Sequence, residues 1–235
     1  MKFLTAVFAV LAFSGVAQAQ NKESTDLLLA LSWQPAFCEI KPDSRECKLI
    51  NSGKLEHTSQ QLSLHGLWPQ PKGNDFCQGV SKPRMDKDTL ERLAYAMPGM
   101  FSGLHTYQWR KHGTCFYGSR NGDEYYDDTL RVMKVINESS IVDLFTERMG
   151  SDKPLTIKEI RQRFDEVFGK GAGRNVVMTC NDDGNRKLVG EIRVALVGEI
   201  TPRTTTVEAV GKMIKDANLR RGSCKSGLVD KPGLQ

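Results

Sequence analysis

Six cysteines, Cys38, Cys47, Cys77, Cys115, Cys180 and Cys224, constrain this chain of 235 residues more than any other feature. The N-terminus gives them their meaning. Met1-Lys2 is a minimal positive start, residues 3–13 are apolar, and Ala17-Gln18-Ala19 has the small-x-small pattern of a cleavage site. This reads as a secretory signal peptide over residues 1–19, leaving residues 20–235 as a single mature domain. An even cysteine count in an exported chain points to three disulfides and a periplasmic or secreted location. No two of the six are spaced Cys-x-x-Cys, which argues against a zinc ribbon or a redox motif. Spacing alone does not choose among the possible pairings. The nearest neighbours are Cys38 with Cys47, Cys77 with Cys115, and Cys180 with Cys224.

A chain with 39% hydrophobic and 26% charged residues is ordinary globular material. No apolar run after the leader is long enough to span a bilayer, so no membrane partner is expected. Residues 27–33 form a continuous apolar run stopped by Pro35 and read as a buried strand. Residues 36–53 are polar, hold Cys38 and Cys47, and read as a stapled loop. Residues 61–67 read as a second strand. Helical spacing covers residues 85–97, 104–115 and 123–136, with a shorter helix over 141–149. Thr156 and Glu159 form a capping box that opens a further helix, running to Gly169. Residues 175–179 and 188–200 read as strands joined by a turn at Asp182-Asp183-Gly184-Asn185. Periodicity is weak from residue 201 onward. The expected fold class is α+β: an antiparallel sheet core flanked by helices and stapled by disulfides.

Chemistry concentrates in two stretches. In Tyr107-Gln108-Trp109-Arg110-Lys111-His112-Gly113-Thr114-Cys115, helical geometry puts Gln108, Lys111 and His112 at i, i+3 and i+4 on one face. Gly113 would free the backbone after His112, and Cys115 would pin that end. The bland alternative is a solvated basic helix terminus. The second stretch is His65-Gly66-Leu67-Trp68-Pro69, a titratable ring at a strand end with an aromatic three residues on. A base-stacking tryptophan beside a general acid or base makes a coherent nucleotide site. His57 and His105 read as structural.

Two histidines suffice to cleave RNA. One takes the proton of the ribose 2′-hydroxyl, which attacks the adjacent phosphorus in line; the other protonates the departing 5′-oxygen. A cation stabilises the charge on the non-bridging oxygens. The product is a 2′,3′-cyclic phosphate, open to later hydrolysis. DNA lacks the attacking hydroxyl. The net charge of +5 and pI near 8.9 fit an acidic partner, nucleic acid included.

His65-Gly66-Leu67-Trp68-Pro69 resembles the first active-site segment of the ribonuclease T2 family, and Trp109-Arg110-Lys111-His112-Gly113-Thr114-Cys115 resembles the second. Leu31-Ser32-Trp33-Gln34-Pro35 up to Cys38 looks like the family's first core strand. The Met97-Pro98-Gly99 lead-in looks most like the bacterial periplasmic branch. The resemblance implies a metal-independent, broad-specificity endoribonuclease acting on single-stranded RNA, with no cofactor, no metal and no cleavage of DNA, working as a monomer. It implies catalytic positions for His65, His112 and Lys111, with His112 as base and His65 as acid. Trp68 would help form a base-binding pocket. It also implies the pairs Cys77–Cys115 and Cys180–Cys224, and Cys38–Cys47 is expected as the third.

One position departs from the pattern. The family usually has glutamate four residues before the second-segment histidine, where this chain has Gln108. Some members have histidine just before it, where this chain has Tyr107, a candidate substrate contact. Glutamine still donates a hydrogen bond to a phosphate oxygen, but it does not stabilise an imidazolium by charge. Gln108 therefore motivates an alternative: a weakened or non-catalytic RNA-binding protein on the same fold. A third reading, from another class, is an unrelated disulfide-stapled binding protein whose motifs match by chance.

Overall fold

The computed structural model of the chain describes residues 26–79, 82–117, 121–219 and 222–235, so the leader expected over residues 1–19 lies outside them. The apolar run becomes β1 (Leu27–Ser32), the second strand of a four-stranded antiparallel sheet. Its side chains are buried on both faces. Leu27, Leu29 and Leu31 enter the main core, and Leu28 joins a smaller cluster with Val177, Ala195 and Leu219 on the other face. That two-sided burial is why the run is continuous rather than alternating.

The chain after β1 differs from expectation. Residues 36–53 are not a loop but two short helices, α1 (Gln34–Ile40) and α2 (Arg45–Asn51). Pro35 stops the strand and also sits in the first turn of α1, where its missing N–H costs nothing. Ser44 caps α2 by accepting from the Cys47 N–H. The Cys38–Cys47 disulfide then joins the pair.

β2 (Ser63–Pro69) pairs with β1, and α3 (Lys87–Ala96) and α4 (Leu104–Lys111) follow. α5 (Gly122–Asn137) packs against the sheet with Tyr125, Val132 and Ile136 buried. The expected helix over 141–149 shrinks to the single turn α6 (Asp143–Thr146). After the short β3 (Leu155–Thr156), α7 (Ile157–Phe168) opens on the expected capping box, and its backbone leaves the helix at Gly169. The hairpin of β4 (Val176–Asp183) and β5 (Arg186–Leu196) turns on Gly184-Asn185, because Asp183 already pairs with Arg186. β5 stops short of residue 200, and Gly198 lies beyond it in the left-handed region. α8 (Val207–Asp216) was not expected. Thr206 caps it by accepting from the Ala209 N–H at 3.1 Å, and Val210, Met213 and Ile214 bury one face. β6 (Ser226–Gly227) closes a second small sheet on β3.

The sheet order is β2-β1-β5-β4, all antiparallel, and helices flank it, which makes the protein α+β. Disulfides Cys77–Cys115 and Cys180–Cys224 tie loops to this frame. The register is irregular at two points. On β2, Gly66 opposes Ala30 and Leu64 opposes Leu31, so His65 is the extra residue of a bulge. On β5, Glu191 opposes Thr179 and Val189 opposes Cys180, so Gly190 is the extra residue of another. A bulge bends its strand and re-aims the side chains beside it.

Candidate active site

β2 brings the first stretch to the sheet face that carries Leu28 and Ala195. α5 fixes the strand there: the Tyr125 hydroxyl accepts from the Leu67 N–H at 3.2 Å and donates to the Leu67 carbonyl at 2.7 Å. The His65 ring meets Trp68 edge-on, with centroids 5.3 Å apart. Trp68 also lies 5.6 Å from the His112 ring, so both histidines contact the same indole.

α4 supplies the second set. Gln108 lies in the helix, Lys111 ends it, and His112 is its C-cap, donating its N–H to the Gln108 carbonyl at 2.8 Å. Gln108 is buried, and its Oε1 accepts from the Trp68 Nε1–H at 2.9 Å. That bond links the two sequence stretches directly. Gly66 makes room for it: a Cβ there would stand 2.3 Å from Gln108 Oε1 and 2.9 Å from Trp68 Nε1. Gly113 has a similar reason. It does not adopt a left-handed backbone, as its place after a helix end would suggest. A Cβ there would instead lie 2.4 Å from the Trp109 ring and 2.9 Å from Tyr125. Space, not conformational freedom, calls for glycine.

Lys111 and Tyr107 sit on the outer side of α4, with the ammonium 5.6 Å from the Tyr107 ring centre and Tyr107 about half exposed. The other two histidines lie elsewhere. His57 stacks on Tyr95 and shares a 3.1 Å hydrogen bond with its carbonyl. Burial lowers the pKa of His105, which lies beside the Thr106 hydroxyl.

Four residues complete the site that the sequence did not reveal. Asp75 brings a carboxylate oxygen to 3.3 Å from His112 Nδ1, off the line of a hydrogen bond. Phe76, more than half exposed, holds a left-handed backbone at φ +55° and donates its N–H to the Lys111 carbonyl. Such a conformation costs about 1–3 kcal/mol and collects at functional sites. Glu191 on β5 is buried and holds His65 Nδ1 at 2.5 Å. Arg193 bonds the other Glu191 oxygen and lays its guanidinium 4.9 Å from the Trp68 ring centre.

The electrostatics separate the histidines. Burial pushes the His112 ring down to about 4; Asp75 opposes that shift, while the positive charges of Lys111 and His65 add to it. For Glu191, burial alone would raise the carboxyl. The His65 hydrogen bond and charge, with Arg193, outweigh burial and hold it below the usual range. At neutral pH the site therefore combines a neutral His112, an ionised Glu191 on His65, and the Lys111 cation. Among the described residues, no group of three His, Cys, Asp or Glu side chains is disposed to hold a metal ion.

Comparison with known proteins bears on the family and the fold. Residues 25–215 match the family described as the Ribonuclease T2 family. The chain is 25% identical over 205 residues to Ribonuclease I of Escherichia coli, covering 72% of this chain and 74% of that one. The fold is similar to that of the self-incompatibility-associated SF11-RNase of Nicotiana alata, with TM-score 0.59, 18% identity, and coverage of 89% of this chain and 100% of that one. It is similar also to human RNase T2, with TM-score 0.55, 18% identity, and coverage of 88% and 98%. A match by chance to unrelated motifs does not extend over most of a chain and its fold, and the protein belongs to the ribonuclease T2 family.

Proposed function

We propose that the protein is an exported endoribonuclease that cuts single-stranded RNA with little base specificity, through 2′,3′-cyclic phosphate intermediates and without a metal. The observation that carries this reading is the convergence of His65 and His112 on one indole, that of Trp68. His112, neutral at pH 7, suits the base that takes the 2′-hydroxyl proton. The 2′-oxygen then bonds to phosphorus as the bond to the 5′-oxygen breaks. His65, with a carboxylate on Nδ1, suits the acid that delivers a proton from Nε2 to the departing oxygen. Lys111 balances charge on the non-bridging oxygens. In the second step the roles reverse, and water opens the cyclic phosphate.

Trp68 is less free to stack on a base than its sequence context implies, because Arg193 lies against its ring. Exposed Tyr107 and Phe76 offer aromatic faces beside the site, and stacking on such faces tolerates any base. Three disulfides support an oxidising destination for the chain. The working unit is proposed to be a monomer that leaves DNA intact. Gln108 still favours a second reading, RNA binding with weak or no cleavage.

The test is turnover of a dinucleotide. His65→Ala and His112→Ala should each lower turnover by roughly 10²–10⁴-fold in a protein that remains folded at the assay temperature, and His57→Ala should change little. If His105→Ala matched His112→Ala with the fold intact, the assigned pair would be wrong. If the unaltered protein bound RNA without cutting it, the second reading would hold.

A further inference from the structure

We propose that Glu191 is a positioning residue for His65, held in turn by Arg193, so that β5 sets the orientation of a histidine carried by β2. The proposal deepens the reading of the site as a two-histidine ribonuclease and rests on it. β1 separates the two strands: Ser32 opposes Glu191, and Ala30 opposes both Arg193 and Gly66. Two strand spacings, roughly 10 Å, therefore lie between the backbones. Small side chains on β1 leave the surface between them low, and the long side chains meet above it. The bulges at His65 and Gly190 bend both strands where this contact is made. Glu191 is 7% exposed, too buried to serve as a solvating surface charge, and both its carboxylate oxygens are used.

The consequence is chemical. Glu191 on Nδ1 favours a proton there and leaves Nε2 as the nitrogen that faces solvent and substrate. A histidine doing proton transfer needs a third group to fix its tautomer and ring plane. The titratable and charged groups around His65 are Glu191, with its partner Arg193, from β5, and His112, which Lys111 flanks at the end of α4. Of these, Glu191 is the one that bonds the His65 ring. Arg193 also touches Trp68, which is bonded to Gln108, so the chain of contacts runs from β5 through the indole to α4.

Glu191→Gln, whose amide tends to present an N–H to Nδ1 and reverse the tautomer, should lower kcat by roughly 10–100-fold, the range seen for carboxylates that orient metal-bound histidines. KM should stay within about two-fold, because no substrate contact is removed. The alkaline limb of kcat/KM should move to lower pH, and Glu191→Asp should restore part of the loss. In a His65→Ala background, Glu191→Gln should cost nothing further. Additive losses there, or a Glu191→Gln enzyme equal to the unaltered one, would overturn the proposal. If the unaltered protein cut no RNA, the ribonuclease reading itself would fail instead. If Glu191→Gln did not fold, nitrogen-15 NMR of the unaltered protein decides: neutral His65 with its proton on Nδ1 supports the proposal, and a proton on Nε2 overturns it.

Discussion

Removing Cys77–Cys115 should damage activity out of proportion to stability. The bridge closes 38 residues of chain, Cys180–Cys224 closes 44, and Cys38–Cys47 closes 9. In chain-entropy terms at 25 °C, these loops are worth about 3.9, about 4.0 and about 2.6 kcal/mol. The first two are thermodynamic equals, and each double alanine variant should melt about 8–16 °C lower, at about 2–4 °C per kcal/mol for a chain of this size. Their positions differ. Cys77 follows Asp75 and Phe76, and Cys115 ends the turn after His112, so this bridge holds the loop against the end of α4. Cys180 and Cys224 pack against the main core on the other face of the sheet. A displacement near 1 Å at the reacting centre can cost about 10²-fold in rate. Cys77→Ala/Cys115→Ala should therefore lose about 10–100-fold in kcat/KM on a dinucleotide, and Cys180→Ala/Cys224→Ala should stay within about two-fold. Both are assayed well below their melting points. Equal activity losses, or an unchanged kcat/KM in the first variant, would refute the claim that the bridge organises the site.

Three further outcomes rest on the geometry of the site. If His112 is the base, the acidic limb of kcat/KM should fall near pH 4, since a ring held at about 4 loses its proton there and accepts one above it; an alkaline limb near pH 4 would make it the acid. Gln108→Glu puts a carboxylate one helical turn before His112, favouring the charged ring, and should move that limb upward; profiles superimposable in shape and height would mean that position 108 does not reach the histidine. Gly66→Ala forces a Cβ against Gln108 Oε1 and the Trp68 nitrogen and should destabilise the protein by about 1–3 kcal/mol, read by thermal unfolding, with kcat/KM falling as the Trp68–Gln108 bond breaks.

How far the sequence can be read depends on how local each signal is. β1 is legible because a central strand buried on both faces needs an unbroken apolar run. The Thr156–Glu159 box and the Gly184-Asn185 turn are legible because capping and turn chemistry act over three or four residues. His65, Trp68, Gln108, Lys111 and His112 stand out as two dense local groups. The partners of those groups do not. Glu191 lies 126 residues from His65 and reads locally as one polar position in a strand. Glu191 and Arg193 read there as the polar members of an ordinary alternation with Ile192, Val194 and Leu196. Asp75 and Phe76 sit in a polar loop with no periodicity. Residues 36–53 mislead because Pro35 reads as a stop when it also starts a helix. α8 escapes notice in a weakly periodic stretch, although Thr206 and the spacing of Val210, Met213 and Ile214 carry the pattern.

The proposed mechanism stands or falls on whether two histidines, with Lys111, cleave RNA by attack of its own 2′-hydroxyl. The deciding measurement is digestion of a defined single-stranded RNA in excess EDTA, with the product ends identified by mass. Undiminished cleavage is expected, with fragments ending first in 2′,3′-cyclic phosphate and then in 3′-phosphate, and an untouched DNA strand of the same sequence. Activity lost in EDTA and restored by a divalent metal, fragments ending in 3′-hydroxyl, or a cut DNA strand would contradict it.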